Sequence, residues 1–213
     1  MAGGSVTGGA STAGGLLSVM ADSVDVDSLT SSGSSVVASA RSIDIGTVSA
    51  AVDALIDTKG LANSSITLGT VTAGRDIGLT GGTNGIAATS LSAGDDIDVV
   101  GSGTLHITSA LTDGSFNSGY GGDPSDITLS ATQAMIGTAR AADNVTLTTA
   151  TGTTANMLIA DRGAILVNGG TSATITNATA TLGAVTINAD AVTADAVNAA
   201  TDVAVNFGGS AVL

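Results

Sequence analysis

Several residue types are scarce or missing in this chain of 213 residues. It has no cysteine, no tryptophan and one proline, and its only aromatic side chains are Phe116, Tyr120 and Phe207. Compact globular cores usually rely on bulky aromatic side chains for much of their apolar burial. The composition therefore argues against a conventional globular core, and the lack of cysteine fits a large exported protein that dispenses with disulfides.

Basic residues are also scarce. Five Lys and Arg face 18 acidic residues, which gives a net charge of −13. Nucleic-acid binding needs a basic face, so we expect no nucleic-acid partner. No run of about 18 apolar residues is present, so we expect no membrane insertion. The first twenty residues lack the basic and apolar regions of a signal peptide.

The residues that are abundant are small or β-branched. The apolar share is mostly Ala, Val and Ile, and the polar share is mostly Thr, Ser, Gly, Asp and Asn. A charged fraction of only 11% argues against intrinsic disorder. Small and β-branched side chains favour a narrow, layered core built from strands.

One short motif recurs along the chain. A small-residue turn is followed by a polar or small residue, a branched apolar residue, any residue and a second apolar residue. The instances are SVDV (23–26), SIDI (42–45), DIGL (76–79), DIDV (96–99), DITL (126–129), NVTL (144–147), AILV (164–167), AVTI (184–187) and DVAV (202–205).

The spacing of this motif predicts the fold. Six of the eight steps between first apolar residues are 18 to 20 residues long, and the other two are 34 and 30. A fixed repeat of this size is typical of a solenoid whose coils stack to bury a shared core. We predict a right-handed parallel β-helix with about three short strands per coil, forming a single domain over residues 1–213. A β-sandwich is the alternative, but it predicts no fixed repeat.

The two long steps predict insertions. Residues 48–63 place apolar side chains at 48, 51, 52, 55 and 56, the spacing of an amphipathic helix, with Ser49 as N-cap and Gly60 as the stop. Residues 113–125 are rich in glycine and predict a loop. That loop carries Phe116 and Tyr120, which either pin it to the rod or contact a carbohydrate or protein.

Asparagines and aspartates supply the other candidate sites. Asn168, Asn188 and Asn206 share one repeat position and predict an amide ladder between coils. Asp95, Asp96 and Asp98 are the densest acidic cluster and could share a calcium ion, although the calcium-binding nonapeptide repeat is absent. No other cofactor is expected.

Groups for catalysis are few. His106, the only histidine, lies between Leu105 and Ile107 and is expected to point to solvent, so no Ser–His–Asp or Cys–His set can be assembled. A carbohydrate-cleaving β-helix would use paired carboxylates, for which the same aspartate cluster is the best candidate. Paired threonines such as Thr146 and Thr148 suggest an ice-binding face, but they do not share one repeat position with the other pairs.

The segments VTAGRDIGL (71–79), LSAGDDIDV (91–99) and ARAADNVTL (139–147) resemble the repeats of filamentous-haemagglutinin-type bacterial exoproteins. The resemblance extends from about residue 18 to 207, and autotransporter passengers use similar coils. It implies a protein at the bacterial cell surface or outside the cell, exported through an outer-membrane partner and acting as a stalk or adhesin in attachment or biofilm. The secretion-domain motifs of that family are not visible, so we expect an internal stretch of a longer chain.

Three functions are therefore weighed. The first is a non-catalytic stalk or adhesive segment whose partners are a host-surface or matrix protein, a carbohydrate, or other copies of the chain. The second is a self-assembling extracellular fibre or surface-layer subunit, because open coil ends expose backbone hydrogen-bonding groups. The third is a carbohydrate-active β-helix enzyme.

Overall fold

The chain folds as a parallel β-solenoid in a computed structural model that describes residues 4–114 and 124–213. Seventeen strands belong to one continuous sheet, and the paired strands run parallel from coil to coil. The solenoid has about 10 turns with coils of about 19 residues. The prediction of an all-β fold with a fixed repeat near 20 residues is therefore confirmed.

Each coil contributes one long and one short strand. The long strands are β1 (Ser5–Ala13), β3 (Ser23–Ser31), β5 (Ser42–Ala50), β7 (Ser65–Ala73), β9 (Ile86–Ala93), β11 (Thr104–Thr112) and β15 (Ser172–Ala180). The short strands are β2 (Leu17–Met20), β4 (Val36–Ser39), β6 (Ala54–Asp57), β8 (Ile77–Gly81), β10 (Ile97–Gly101) and β14 (Ile165–Asn168). Four strands run through both positions: β12 (Ile127–Ala141), β13 (Val145–Ala160), β16 (Val185–Ala199) and β17 (Val203–Val212).

The core is a stack of like aliphatic residues along the solenoid axis. Successive residues of a strand point to opposite faces, so alternate apolar residues enter the interior. One column runs through the short-strand positions of successive coils, and its members are 0–1% exposed: Ile77, Ile97, Ile127, Val145, Ile165 and Val185. The recurring motif thus marks one inward column between residues 76 and 187, whereas Val203 of the last motif is 51% exposed.

The long strands each contain a corner at which the pairing register skips one residue. Between β5 and β7, Ile45 pairs with Leu68 and Thr47 pairs with Thr70, so Gly46 and Gly69 are passed over. A Cβ atom at Gly69 would collide with the Gly46 carbonyl. Glycine is needed there because the two backbones approach more closely than a side chain permits.

The predicted helix within residues 48–63 is wrong. Residues up to Ala50 belong to β5 and Ala54–Asp57 form β6, and no helix occurs among the described residues. Val48 is buried between Leu29 and Val71 of the neighbouring coils, while Leu55 is 44% exposed. Pairing with neighbouring coils outweighs the local helical spacing, because it satisfies the same backbone groups and also buries the aliphatic column.

The 34-residue step that suggested this insertion arises because the motif moves from the long-strand position of one coil to the short-strand position of the next. SIDI lies in the long strand β5, whereas DIGL begins at the short strand β8. In register, Ile43 pairs with Ile66, and Ala54 pairs with Ile77. Only the turn at 58–64, between β6 and β7, is longer than its neighbours. There Lys59, Gly60 and Asn63 adopt left-handed backbone conformations with φ of 54°, 60° and 57°.

The second long step does reflect extra residues. Bonded partners across most coil boundaries are about 20 positions apart, as for Asp76 and Asp96, but Asp96 and Asp126 are 30 apart. The extra residues lie between β11 and β12, where residues 115–123 fall outside the described part of the chain. Ile97 and Ile127, which follow these two aspartates, still pair in register in the aliphatic column, so the solenoid continues across this segment. In the described residues, no helix has the length and apolarity to cross a bilayer.

Candidate functional site

Asn168, Asn188 and Asn206 form an amide ladder along the surface of the last coils. The Asn188 side-chain amide donates to Oδ1 of Asn168 at 2.8 Å, and the Asn206 amide donates to Oδ1 of Asn188 at 2.8 Å. Each asparagine ends a short-strand segment and pairs in register with the next. An amide carries both donors and an acceptor, so identical side chains stacked in this way satisfy one another.

A second ladder, which we call the carboxylate column, precedes the short strands in the middle of the chain. It consists of Asp76, Asp96 and Asp126, followed by Asn144. The backbone N–H of Asp96 donates to Oδ1 of Asp76 at 3.4 Å, and that of Asp126 donates to Oδ1 of Asp96 at 2.9 Å. The Asn144 backbone and side-chain amides donate to Oδ1 of Asp126 at 2.9 and 3.0 Å.

Arg75 neutralises the first end of the carboxylate column. Its Nε and Nη2 donate to the two carboxylate oxygens of Asp53 at 2.7 and 2.6 Å, and its Nε lies 3.0 Å from Oδ2 of Asp76. This fork-to-fork geometry is the strong form of an arginine–carboxylate pair. The hydrogen bonds to Asp53 raise the pKa of the Arg75 guanidinium above its ordinary value. The arginine therefore holds two successive coils together.

Asp96 is the member of the carboxylate column whose surroundings disfavour ionisation. Partial burial raises the pKa of its carboxyl group, and the nearby charges of Asp95, Asp76 and Asp126 raise it further. The hydrogen bond from the Asp126 backbone opposes this shift. Stacked carboxylates repel one another, and at Asp96 a single backbone donor offsets that repulsion only in part.

The predicted calcium cluster is split, because Asp96 and Asp98 line one surface depression with Asp126 and Thr128, whereas Asp95 lies apart from it. Asp95 is 5% exposed and accepts a hydrogen bond from Ser125 Oγ at 3.1 Å. Asp96 belongs to the carboxylate column, and Asp98 lies on the outer surface between Gly78 and Thr128. Within the part of the chain that is described, no three His, Cys, Asp or Glu side chains come together as a metal site. Calcium binding by this cluster stays a prediction.

The other candidate residues from the sequence are two aromatic residues and the single histidine. Phe116 and Tyr120 lie in residues 115–123, outside the described residues. His106 is exposed between the buried Leu105 and Ile107, and its register neighbours are Ala87 and Met135. These neighbours offer neither a charge nor a hydrogen-bonding side chain that would prepare the imidazole for proton transfer.

The sequence reasoning missed a regular surface of hydroxyl groups, which we call the hydroxyl grid. Two outward ranks flank the buried rank of Leu29, Val48, Val71 and Leu91, which are 0–1% exposed. One rank is Ser28, Thr47, Thr70 and Ser90, and the other is Thr30, Ser49, Thr72 and Ser92. The sequence signal for the hydroxyl grid was an aliphatic residue with a Ser or Thr on each side. This aliphatic residue lies five positions after the first apolar residue of each of the four long strands.

The spacing of the hydroxyl grid follows from strand geometry. Neighbouring coils are about 4.8 Å apart, and residues two apart on a strand are separated by roughly 6.6 Å. Hydroxyl groups both donate and accept hydrogen bonds. The grid therefore presents a periodic, uncharged hydrogen-bonding surface across four successive coils.

These three arrangements, the amide ladder, the carboxylate column and the hydroxyl grid, all arise from one repeat. Each places the same residue type at the same position of successive coils. No known protein family, no curated protein and no solved structure matches this chain.

Proposed function

We propose that this chain is a non-catalytic structural and adhesive segment of a secreted bacterial surface protein. The observation that carries the proposal is the uninterrupted stacking of about 10 coils around one aliphatic column. A solenoid of this kind separates its two ends by a fixed distance and displays long ranks of identical side chains. Both properties suit a stalk that also contacts a surface.

The finer architecture belongs to the same proposal. The skipped register position in each long strand divides that strand into two segments, and with the short strand this supports three faces per coil. Parallel strands joined by crossover connections are right-handed in about 98% of cases, which favours a right-handed coil. Both features fit the expected filamentous-haemagglutinin-type repeat and, with it, a location at the cell surface or outside the cell.

The hydroxyl grid supports the adhesive part of the proposal. Thr47, Thr70 and Thr72 are exposed, and they lie in two successive coils, Thr47 in β5 and the other two in β7. An uncharged array of hydroxyl groups can exchange hydrogen bonds with the hydroxyls of a polysaccharide or the backbone of a matrix protein. Many weak contacts at fixed spacing add up through multivalency. We infer that carbohydrate or matrix protein is the partner of this face.

The experiment is a binding assay of the purified chain on immobilised polysaccharides and matrix proteins. Replacing Thr47, Thr70 and Thr72 together by valine keeps the side-chain shape and removes three hydroxyls. We expect this variant to lose at least tenfold in binding. The control replaces Thr154, Thr174 and Thr193, three exposed threonines that stack in three successive coils outside the hydroxyl grid.

Equal binding by both triple variants would contradict an adhesive role for the hydroxyl grid. The same preparations are to be incubated with each polysaccharide, and release of reducing ends is to be measured. We expect no release. Hydrolysis by the unmodified chain that disappears on replacing Asp96 and Asp98 by asparagine would favour the carbohydrate-active enzyme instead.

Self-assembly into a fibre is the second candidate function, and one observation favours it. Among the described strands, β1 pairs with β3 and β17 pairs with β16, and no described strand pairs with the other edge of either. Neither strand contains a charged residue or proline, which are the usual protection against edge-to-edge pairing. Such edges can accept a strand from another copy.

Light scattering over a range of concentrations tests this second candidate. A fibre subunit is expected to grow in mass with concentration, and Thr7→Lys on the free edge of β1 is expected to suppress that growth. Thr67→Lys is the control, because it occupies the same strand position in an inner coil. A chain that stays monomeric at all concentrations would rule the fibre out.

A further inference from the structure

A cavity lies near the amino-terminal end of the described solenoid. Its volume is about 330 Å³, and it lies among the start of β1, the ends of β2 and β4 with their following turns, and the long turn at 58–64. This size is within the range of small-molecule sites in proteins. Its apolar lining consists of Val6, Met20, Ala21, Ala40 and Leu61.

Four polar side chains belong to the same lining: Ser5, Asp22, Ser39 and Lys59. They bring one carboxylate, one ammonium group and two hydroxyls to an otherwise apolar cavity, and the Ser5 hydroxyl already accepts a hydrogen bond from Ser23. Apolar walls with a few polar groups that fix orientation are the usual composition of a ligand site. The two opposite charges together match a molecule that carries one charge of each sign.

Ser39 is the observation that points to a ligand. Its residue is 7% exposed, and its Oγ is buried with no hydrogen-bond partner among the described residues. It is the last residue of β4, in register between Met20 and Asp57. A buried hydroxyl without a partner is unfavourable, and native proteins seldom keep one without a reason.

Met20, a second member of the lining, pairs in register with Ser39 from the first coil. Met20 is 61% exposed, and an unbranched thioether side chain changes conformation readily. The opposite wall is firmer, because the 58–64 turn is tied down by the fully buried Thr58 and Ser64 and by a hydrogen bond from Leu61 N to Thr58 O at 3.2 Å. A ligand that contacts the Ser39 hydroxyl requires a rearrangement of this lining, because the Oγ atom is buried.

We propose that this cavity binds a free α-amino acid with an aliphatic side chain. The carboxylate of the ligand accepts from the Ser39 hydroxyl and the Lys59 ammonium, and the ligand ammonium donates to Asp22. The aliphatic side chain contacts Val6, Met20 and Leu61. This site is separate from the hydroxyl grid and does not depend on the stalk or adhesive function.

The test uses the whole purified chain and L-leucine as the probe. We expect leucine to bind saturably, with a dissociation constant at or below about 10 mM, and to raise the unfolding temperature as it saturates. Two analogues isolate the charged groups of the ligand. 4-Methylpentanoate lacks the ammonium and 3-methylbutan-1-amine lacks the carboxylate, and each is expected to bind at least tenfold more weakly than leucine.

Two variants and one control complete the design. Ser39→Ala is expected to weaken leucine binding at least tenfold while leaving the ligand-free chain as stable as before or more stable, because it removes an unpaired hydroxyl. Lys59→Gln, in an exposed turn, is expected to weaken binding to a similar degree. Ser130→Ala is the matched control, since Ser130 occupies the strand position of Ser39 in another coil, away from the cavity.

Several results would overturn the proposal. One is the absence of saturable binding by the unmodified chain at leucine concentrations up to about tenfold above the expected constant. Another is unchanged binding by Ser39→Ala, which would show that the hydroxyl does not face the ligand. A third is equal binding of leucine and both analogues, which would show an apolar cavity that does not recognise the charged groups.

Discussion

The amide ladder and the carboxylate column are two solutions to the same stacking problem. In both, one residue type recurs at one position of successive coils. Asn188 donates to the asparagine on one side and accepts from the asparagine on the other, so the side chains satisfy each other. Asp96 can only accept, so it takes a backbone N–H and remains close to the charges of Asp76 and Asp126.

This difference shows that a repeat does not guarantee a favourable stack. Side chains with both donors and acceptors gain from being stacked on copies of themselves. Side chains with a single charge need a neighbour of another kind, as Arg75 is for Asp53 and Asp76. The following predictions test this comparison, beginning with the core that the two ladders share.

The largest effect is expected from the aliphatic column under both ladders. Ile97→Ala and Ile165→Ala should each lower the free energy of unfolding by about 2–5 kcal/mol, because each side chain is 1% exposed and lies between two β-branched residues. Urea denaturation measures both. Leu55→Ala, at a 44% exposed position, is the control and should cost far less. Clearly unequal costs at 97 and 165 would mean that the two regions differ in their cores.

A smaller effect is expected from placing a carboxylate in the amide ladder. Asn188→Asp loses the donor to Asn168 and sets a negative charge against its oxygen, so it should lower stability at neutral pH by about 1–2 kcal/mol. Asn198→Asp is the control, because Asn198 lies exposed in the same strand, β16. Equal stability of these two variants would show that the ladder contributes nothing measurable.

The reverse exchange should stabilise the carboxylate column. In Asp96→Asn, Oδ1 still accepts from the Asp126 backbone, the new amide can donate to Asp76, and the repulsion disappears. We expect a gain of about 0.5–1 kcal/mol at neutral pH, reduced from the value for a buried pair because solvent screens this site. Asp98→Asn, without a ladder contact, should change stability less. A loss of stability in Asp96→Asn would refute the idea that charge is the weakness of this column.

The smallest effect is a dependence on pH. The pKa of Asp96 is raised in the folded chain, so folding favours its protonated form. Its contribution to stability therefore increases as the pH falls from neutrality through the raised pKa, and it stops increasing near the unfolded value of 3.8. We expect the advantage of Asp96→Asn over the unmodified chain to shrink between pH 7 and about pH 4 in thermal unfolding. An advantage that grows toward low pH would reverse the sign of this argument.

The parts of the fold that are determined by alternation and spacing could be predicted from the sequence. The motif at Ile97, Ile165 and Val185 gave the correct inward column, because a β-branched residue that recurs near every twentieth position fits stacked coils and few other folds. The asparagines at 168, 188 and 206 were correctly aligned for the same reason. In both cases the position within the repeat is unambiguous.

The predicted helix at 48–63 was wrong because the same spacing of apolar residues fits both a helix and a pair of strands. Apolar residues at 48, 52 and 56 fit a helical face, and they also fit two strands on either side of a corner. Only the register with Leu29 and Val71 decides between them, and that information is distant in sequence. The motif also occurs in both the long strands and the short strands, which made a change of column resemble an insertion.

The candidate sites were less predictable than the fold. Ser39 could not be identified from the sequence, because a serine in an outward strand position is ordinarily exposed, whereas here it is buried in a cavity that the long turn at 58–64 also lines. The hydroxyl grid needed the exact corner positions before its ranks could be aligned. Asp95, Asp96 and Asp98 are close in sequence, but only Asp96 and Asp98 share a surface depression, whereas Asp95 is buried against Ser125.

The segment between β11 and β12 shows how such a molecule tolerates change. The step from Asp96 to Asp126 is 30 residues instead of about 20, yet Ile97 and Ile127 still pair in register. Because each coil touches only the coils before and after it, the chain can gain surface loops without disturbing distant parts. Duplicating one coil would likewise lengthen the rod by about 4.8 Å and leave its cross-section unchanged. Length in this architecture is thus a quantity that evolution can adjust in whole steps, independently of whatever the loops and faces bind.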